Sequence, residues 1–168
     1  VFLGDMVSGQ VLTIALRLTF DYGDIGREVG VMVRIEDRDR AFELASPAIA
    51  PVPVAWVYGD HPANDAQPRD RDVDRVVARL DAEQAKQDAV RLNRMGRYED
   101  ARAAIDEVRR RVAGYAEGDE VLAGLVAELE GVTPSLAAPM PEMLRKEMHF
   151  ASSTVSRMRT VDGKSRRR

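Results

Sequence analysis

The fold of this chain is decided by the stretch Leu92-Asn93-Arg94-Met95-Gly96-Arg97-Tyr98-Glu99-Asp100-Ala101-Arg102-Ala103-Ala104-Ile105. Gly96 interrupts a segment with helical periodicity, and glycine at such a position is typical of the residue that ends a helix. The segment before Gly96 carries the small side chains Ala82, Ala85 and Ala89, which allow a second helix to pack closely. The sequence therefore predicts that two helices meet around Gly96.

Helical periodicity continues on both sides of this stretch. The first helix is predicted over about 70–95, with Asp70 or Asp72 as its N-cap. Three more predicted helices cover about 98–112, 119–132 and 141–158. Inward-facing side chains are predicted at Val73, Val76, Val77, Leu80, Ala82, Ala85, Ala89 and Leu92, at Ala101, Ile105, Val108 and Val112, at Leu122, Leu125, Val126 and Leu129, and at Leu144, Met148, Ala151, Val155 and Met158.

The stretch around Gly96 resembles the helical hairpin of one tetratricopeptide repeat. In that hairpin a glycine opens the turn, an aromatic residue packs across it and an alanine lets the two helices approach. The resemblance assigns these roles to Gly96, Tyr98 and Ala101. No second copy follows at an offset of about 34 residues, and a solenoid needs at least about three repeats. The resemblance therefore implies a single hairpin.

The first 60 residues alternate with period two, as half-buried strands do. Strands are predicted over 12–20, 29–35 and 52–58, and two short ones at 1–3 and 41–44. Pro51 and Pro53 indicate that the strand at 52–58 begins at an edge or a bulge. Four or five strands make only a thin sandwich, so this part is predicted to be incomplete.

The change of period from two to helical divides the chain. The predicted fold class is α+β, with an N-terminal antiparallel β-sandwich-like part followed by a C-terminal bundle of about four helices. The predicted boundaries are 1–60 for the β-part, 61–69 for a linker, 70–160 for the helical bundle and 161–168 for a basic flexible tail.

Composition limits the classes to which the chain can belong. Its 168 residues are 45% hydrophobic and carry a net charge of −3, which suits a folded protein of one or two domains. The absence of cysteine excludes disulfides, thiolate metal sites and a cysteine nucleophile. No apolar run approaches the 18 or more residues of a membrane span. Because the first residue is Val1, we expect a piece of a longer protein.

Motifs that carry chemistry are incomplete or absent in this sequence. The stretch Asp70–Asp74 opens like an EF-hand loop, but Arg75 replaces the glycine and Asp81 the glutamate that calcium binding needs. His61 and His149 have no partner at metal-ligand spacing. There is no P-loop, G-x-S-x-G or G-x-G-x-x-G motif. The sequence therefore predicts no enzymatic activity, no catalytic residue, no cofactor and no metal ion.

Two further motifs lie towards the ends of the chain: Leu3-Gly4-Asp5-Met6-Val7-Ser8-Gly9-Gln10 and Phe150-Ala151-Ser152-Ser153-Thr154-Val155-Ser156-Arg157-Met158-Arg159. Their order resembles the region downstream of the von Willebrand factor type A domain in a group of bacterial proteins. In that family Asp-x-Ser-x-Ser holds Mg²⁺, and this sequence lacks the motif. The resemblance implies an accessory region of a binding or assembly protein, with the missing type A domain as a partner in the same polypeptide.

The leading functional hypothesis is a non-enzymatic protein-interaction or assembly region of a protein that contains a von Willebrand factor type A domain. One alternative is binding of anionic surfaces or nucleic acid by the basic tail Lys164-Ser165-Arg166-Arg167-Arg168. Nucleic acid is not favoured, because no aromatic side chains alternate with the arginines to stack on bases. The second alternative is an enzyme with a dispersed carboxylate site.

Partners are expected to be proteins of unknown identity, including a second copy of the chain. A β-part of four or five strands leaves a sheet face or edge open, and an open edge is a template for another chain. We therefore expect a homodimer whose contact includes residues from 1–58. The candidates for structural or interaction roles are Gly96, Tyr98, Ala101, Trp56, Leu144 and Met148.

Overall fold

The computed structural model describes residues 13–37 and 50–156, with residues 153–156 described by their backbone alone. These residues divide into two compact units. The sheet unit consists of the described residues from 17 to 69, and the helical unit of 13–16 and 70–156. The mixed α+β class predicted from the sequence is confirmed.

The sheet unit is built on one pair of antiparallel strands. Its elements are β1 (Glu28–Val33), β2 (Val52–Val57) and the short helix α1 (His61–Asp65). The strand register sets Val29 opposite Trp56 and Val33 opposite Val52. β-branched and aromatic side chains favour this pleated conformation, and they alternate here as the sequence predicted.

The predicted β-sandwich is not formed by the described residues, which contain a single two-stranded sheet. Residues 13–20, predicted as a strand, are irregular. A strand needs a neighbour for its backbone N–H and C=O groups, and no described strand pairs with this segment. The predicted strands at 1–3 and 41–44 and the basic tail lie outside the described residues. Within the predicted linker 61–69, α1 forms one short helix.

The helical unit packs four helices around a seam of alanines. Its elements are α2 (Arg71–Arg94), α3 (Tyr98–Ala113), α4 (Glu120–Val132), a 3₁₀ turn (Thr133–Leu136) and α5 (Glu142–Ser156). Within the described parts of the chain, no helix has both the length and the apolar character to cross a membrane. The buried core consists of Ala78, Ala82, Ala85, Ala89, Ala101, Ile105, Val108, Val112, Leu122, Leu125, Leu129, Leu136 and Met140.

The N-cap of α2 is a predicted residue, but the first turns of the helix bury a different face from the predicted one. Asp70 is the N-cap, and its carboxylate accepts hydrogen bonds from two backbone N–H groups in the first turn, at 3.0 and 3.1 Å. Val73, predicted to face inward, is largely exposed, whereas Asp74 and Ala78 are buried. The spacing of three and four residues along the alanine seam leads back from Ala78 to position 74, which leaves Val73 off that face.

Gly96 ends α2 in the way the sequence predicted. Its φ of +75° lies in the left-handed region. The backbone N–H of Gly96 donates to the Asn93 carbonyl and the N–H of Arg97 to the Leu92 carbonyl, both at 3.0 Å. These two bonds form a Schellman motif, which satisfies carbonyl groups that the end of a helix leaves without partners.

The last helix packs on a different face from the predicted one. Leu144 is 37% exposed and Ala151 is exposed, while Ser152 is fully buried and Met148 partly so. The Ser152 hydroxyl donates to the Met148 carbonyl at 2.8 Å. A small, internally bonded serine can therefore lie at the contact between α5 and α2 without an unsatisfied polar group. The side chain of Val155 and all of Met158 lie outside the described residues.

A buried asparagine joins α2 to the segment before α5. The Asn93 side-chain amide donates to the Ala138 carbonyl at 2.8 Å and to the Leu136 carbonyl at 3.4 Å. Its oxygen accepts a hydrogen bond from the backbone N–H of Met140 at 3.0 Å. One side chain thus supplies partners for three backbone groups of a segment that has no regular hydrogen-bonding neighbour.

We expect Gly96→Ala to lower the free energy of unfolding by about 1 kcal/mol, because a Cβ is strained at positive φ. Gly131→Ala is the matched control, since Gly131 lies within α4 and a Cβ there would meet no atom within 4 Å. That change is expected to be neutral or stabilising by up to about 1 kcal/mol. Urea unfolding followed by circular dichroism measures both, and equal stabilities for the two variants would contradict the C-cap assignment.

Candidate functional site

The two-stranded sheet carries an apolar face whose side chains are partly exposed. Cross-strand pairing places Val29 beside Trp56, Val31 beside Val54 and Val33 beside Val52, so these six side chains share one side of the sheet. We call this set the apolar face. Five of the six side chains are exposed and Val29 is intermediate. The sheet therefore presents a continuous apolar surface.

One end of the apolar face is fixed by the segment that precedes β1. The rings of Phe20 and Trp56 stack at a tilt of 50°, with their centroids 5.1 Å apart. The Tyr58 hydroxyl donates a hydrogen bond to the Asp21 carbonyl. Gly23 lies against the Tyr58 ring, where a Cβ would come within 2.6 Å of a ring carbon. A side chain at position 23 would therefore displace the ring that anchors this segment.

A tight turn leads from this segment into β1. The N–H of Arg27 donates to the Asp24 carbonyl at 3.0 Å, and Gly26 has a φ of +85°. A positive φ at the third residue of a turn requires glycine or a similarly permissive residue. The N–H of Gly26 also donates to the Tyr58 carbonyl at 2.8 Å. The turn therefore sets the register with which β1 meets β2.

The helical unit contains a closed network of four charged side chains between α2 and α4. Arg79 donates to Glu128 at 2.7 Å and lies 3.0 Å from Glu83. Lys86 donates to Glu83 at 3.2 Å and also to Glu128. We call these four residues the ion network. Glu83 is 1% exposed and Lys86 is buried, so each depends on the other members for compensation of its charge.

The pKa values of two carboxyl groups on α4 and at its cap are lower than usual. Burial acts to raise the pKa of Glu128, but the hydrogen bonds and charges of Lys86 and Arg79 outweigh it. Burial likewise acts to raise the pKa of Asp119, and the Leu122 N–H and the Arg75 guanidinium lower it further than burial raises it. Both carboxylates are therefore ionised at neutral pH and contribute to stability there.

A cleft of about 510 Å³ lies beside the ion network, within the helical unit. Its charged lining residues are already engaged: Arg75 pairs with Asp119 at 2.9 Å, and Arg79 pairs with Glu128. The cleft therefore offers apolar contact but no unpaired charge with which to select a ligand. It is lined by Thr13, Arg75, Val76, Arg79, Leu80, Val121, Leu122, Gly124, Leu125 and Glu128.

Three of the predicted candidates meet at the helical hairpin. Gly96 forms the turn, and the Tyr98 hydroxyl lies 4.0 Å from the position that a Cβ on Gly96 would occupy. Ala101 is fully buried in the core. These contacts are those of a structural element, because Gly96 and Ala101 close the hairpin and present no functional group.

The other three candidates lie on different elements. Trp56 belongs to the apolar face of the sheet unit. Leu144 and Met148 lie on α5 of the helical unit, where Met148 packs partly against the core. Trp56 and Leu144 are similarly exposed, at 38% and 37%, but Trp56 alone of the six lies on the apolar face.

The described carboxylates do not form a cluster of the size that a metal site needs. No group of three or more potential ligands among His, Cys, Asp and Glu occurs within the described residues. The pKa values of the described carboxyl groups Asp88, Asp119, Glu128 and Glu142 are all lowered. A general acid at neutral pH needs a raised pKa, so none of these four is suited to that role.

The sequence analysis missed the ion network and the role of Asn93. A signal for the network was present, because Glu83 and Lys86 stand three residues apart between the buried alanines of α2. Opposite charges within an apolar stripe indicate a buried pair. The other two members are Arg79 on α2 and Glu128 on α4. The periodicity of each helix does not reveal which of its residues meet residues of the other helix.

No protein family, curated protein or solved structure matches this chain. Function is therefore inferred from the surface chemistry of the two units.

We expect Glu128→Gln to destabilise the chain by about 1–2 kcal/mol at pH 7, because the buried Lys86 loses an ionised partner. Glu130→Gln, also on α4, is the control and should change stability by less than about 0.5 kcal/mol. The difference between parent and Glu128→Gln should shrink as the pH falls through the lowered pKa of Glu128, since its carboxylate is then protonated. Urea unfolding at several pH values tests this, and a difference that grows in acid would contradict it.

Proposed function

We propose that this chain is a non-enzymatic protein-interaction module in which the sheet unit presents its apolar face to a protein partner. The observation that carries the proposal is a contrast between the two units. The helical unit buries its apolar core, whereas five of the six apolar side chains on one side of the sheet are 36–55% exposed. A contiguous apolar patch on a folded protein is typical of an interaction site.

The chemistry of the apolar face favours a protein partner. Valines and a tryptophan offer shape and apolar area but no charge, and tryptophan is enriched among residues that dominate protein–protein binding energy. The Phe20–Trp56 stack holds the tryptophan in one orientation, which reduces the entropy lost when a partner binds. Trp56 is therefore the expected energetic centre of the contact.

The two alternative functions gain no support from the described residues. Arg109 and Arg111, which a positive face would need, pair with Asp106 and Asp81, and Arg110 donates to the backbone carbonyl of Asp106. The basic tail that would extend such a face lies outside the described residues. An enzyme with a dispersed carboxylate site would need acids of separated pKa in one pocket.

The association with a von Willebrand factor type A domain remains part of the proposal. It rests on the resemblance of the motifs at 3–10 and 150–159, and the first of these lies outside the described residues. In that context the module would be an accessory region that helps the larger protein to assemble.

Photo-cross-linking tests the proposed function. A benzoylphenylalanine at Val52, on the apolar face, is compared with one at Val73, on α2, because both native side chains are 55% exposed. In its source cells the chain should form a discrete protein adduct from position 52 and none from position 73. Val54→Asp, which places a charge on the same face, should abolish the adduct.

A third cross-linking position separates the sheet from the cleft. Val121 lines the cleft and is 62% exposed. An adduct from position 121 with none from position 52 would move the partner site to the helical unit and overturn the proposal. The absence of adducts at all three positions would also overturn it.

A further inference from the structure

The backbone of β1 has an outer hydrogen-bonding edge that pairs with no other strand among residues 13–37 and 50–156. The N–H of Tyr58 donates to the Arg27 carbonyl at 2.9 Å, which shows that the backbone of residue 27 faces β2. Because backbone direction alternates along an antiparallel strand, residues 29, 31 and 33 also face β2. The N–H and C=O groups of Glu28, Gly30 and Met32 therefore point away from β2. No described strand pairs with them.

The opposite edge of the sheet is less suited to pairing. Tyr58 makes both of its backbone bonds towards β1, so residues 53, 55 and 57 of β2 face outward by the same alternation. Pro53 stands at one of these outward positions and has no N–H to donate. Proline at such a position blocks the addition of a strand. We therefore expect a partner strand to pair with the outer edge of β1 and not with that of β2.

The sequence along the β1 edge is complementary to itself. When two copies of β1 run antiparallel about a two-fold axis at Val31, Glu28 lies opposite Arg34 of the second copy and Val29 lies opposite Val33. Glu28 and Arg34 are both exposed, and neither has an ion partner in the described parts of the chain. The pairing supplies each charge with a counter-charge and keeps valines opposite valines.

Neighbouring registers lack this match. A shift that centres the axis on Gly30 sets Glu28 opposite Met32, and it leaves both charges without partners. A shift to Met32 sets Glu28 opposite Glu36 of the second copy, and like charges directly opposite each other destabilise a sheet.

We propose that the outer edge of β1 is a homodimer interface, formed by antiparallel pairing with β1 of a second copy about Val31. The result is a four-stranded sheet in the order β2–β1–β1–β2. An isolated two-stranded sheet is marginally stable in water, and three or more strands are needed for independent stability. The two apolar faces join on one side of this sheet and form a single, larger docking surface. This inference rests on the proposed function and names a second copy as one partner of the sheet unit.

Charge exchange tests the interface with the full chain. Glu28→Arg and Arg34→Glu each convert two attractive cross-strand pairs of the dimer into repulsive ones, which should raise the dimer dissociation constant about tenfold. The double variant Glu28→Arg with Arg34→Glu should restore it to within about threefold of the parent. Sedimentation equilibrium from about 1 μM to about 1 mM measures the constants. Unchanged helical circular dichroism shows that each variant is folded.

Cysteine placement tests the register, since the chain has no cysteine of its own. In the proposed pairing the two copies of position 31 form a non-hydrogen-bonded pair with Cα atoms about 4.5 Å apart, within disulfide range. Val31→Cys should therefore oxidise to a disulfide-linked dimer. Val29→Cys and Val33→Cys, on the same face, should not, because each lies opposite the other position.

Three results would overturn the inference. A monomer mass at the highest concentration shows that β1 does not self-pair. Efficient cross-linking from Val29→Cys or Val33→Cys indicates stacking of two apolar faces instead of edge pairing. Failure of the double charge variant to recover indicates that Glu28 and Arg34 do not face each other. If the chain is monomeric but still gives the photo-cross-linked adduct from position 52, the dimer interface is rejected and the proposed function is retained.

Discussion

Close packing along the alanine seam of α2 is the constraint on which the helical unit depends. Ala78, Ala82, Ala85 and Ala89 are buried at the contacts of α2 with its neighbours, and larger side chains there would hold the helices apart. The glycine turn at Gly96 returns the chain so that Ala101 and Ile105 of α3 join this core. Within the same helix the seam also brings Glu83 and Lys86 inward, and the ion network is the consequence.

The described residues of the sheet unit contain no equivalent of the alanine seam. Its strands are held by their mutual hydrogen bonds, by the turn at Gly26 and by the Phe20–Trp56 stack, and these leave one side of the sheet apolar and accessible. The same amino-acid pattern that makes β1 and β2 good strands also gives the sheet the apolar side on which the proposed function rests.

Local signals predicted the helical unit well. Caps such as Asp70 and Asp119, the Gly96 turn and the inward stripes of α3 and α4 are encoded by residues close in sequence. Non-local pairing was harder to predict. The segment 13–20 alternates like a strand but has no described partner. An alternation with period two indicates only that a segment is compatible with a sheet. Asn93 was missed because its partners lie more than 40 residues away, and Glu128 lies equally far in sequence from the α2 members of the ion network.

The helices close their own core, whereas the proposed function requires another chain to complete the sheet. Amide hydrogen exchange of the full chain over a range of protein concentrations tests it directly. The amides of α2, α3 and α4 should exchange slowly at every concentration, and the outward amides of Gly30 and Met32 should gain protection as the concentration rises. Equal, high protection of Gly30 and Met32 in dilute, monomeric protein would contradict the account, because the sheet would then be complete within one chain.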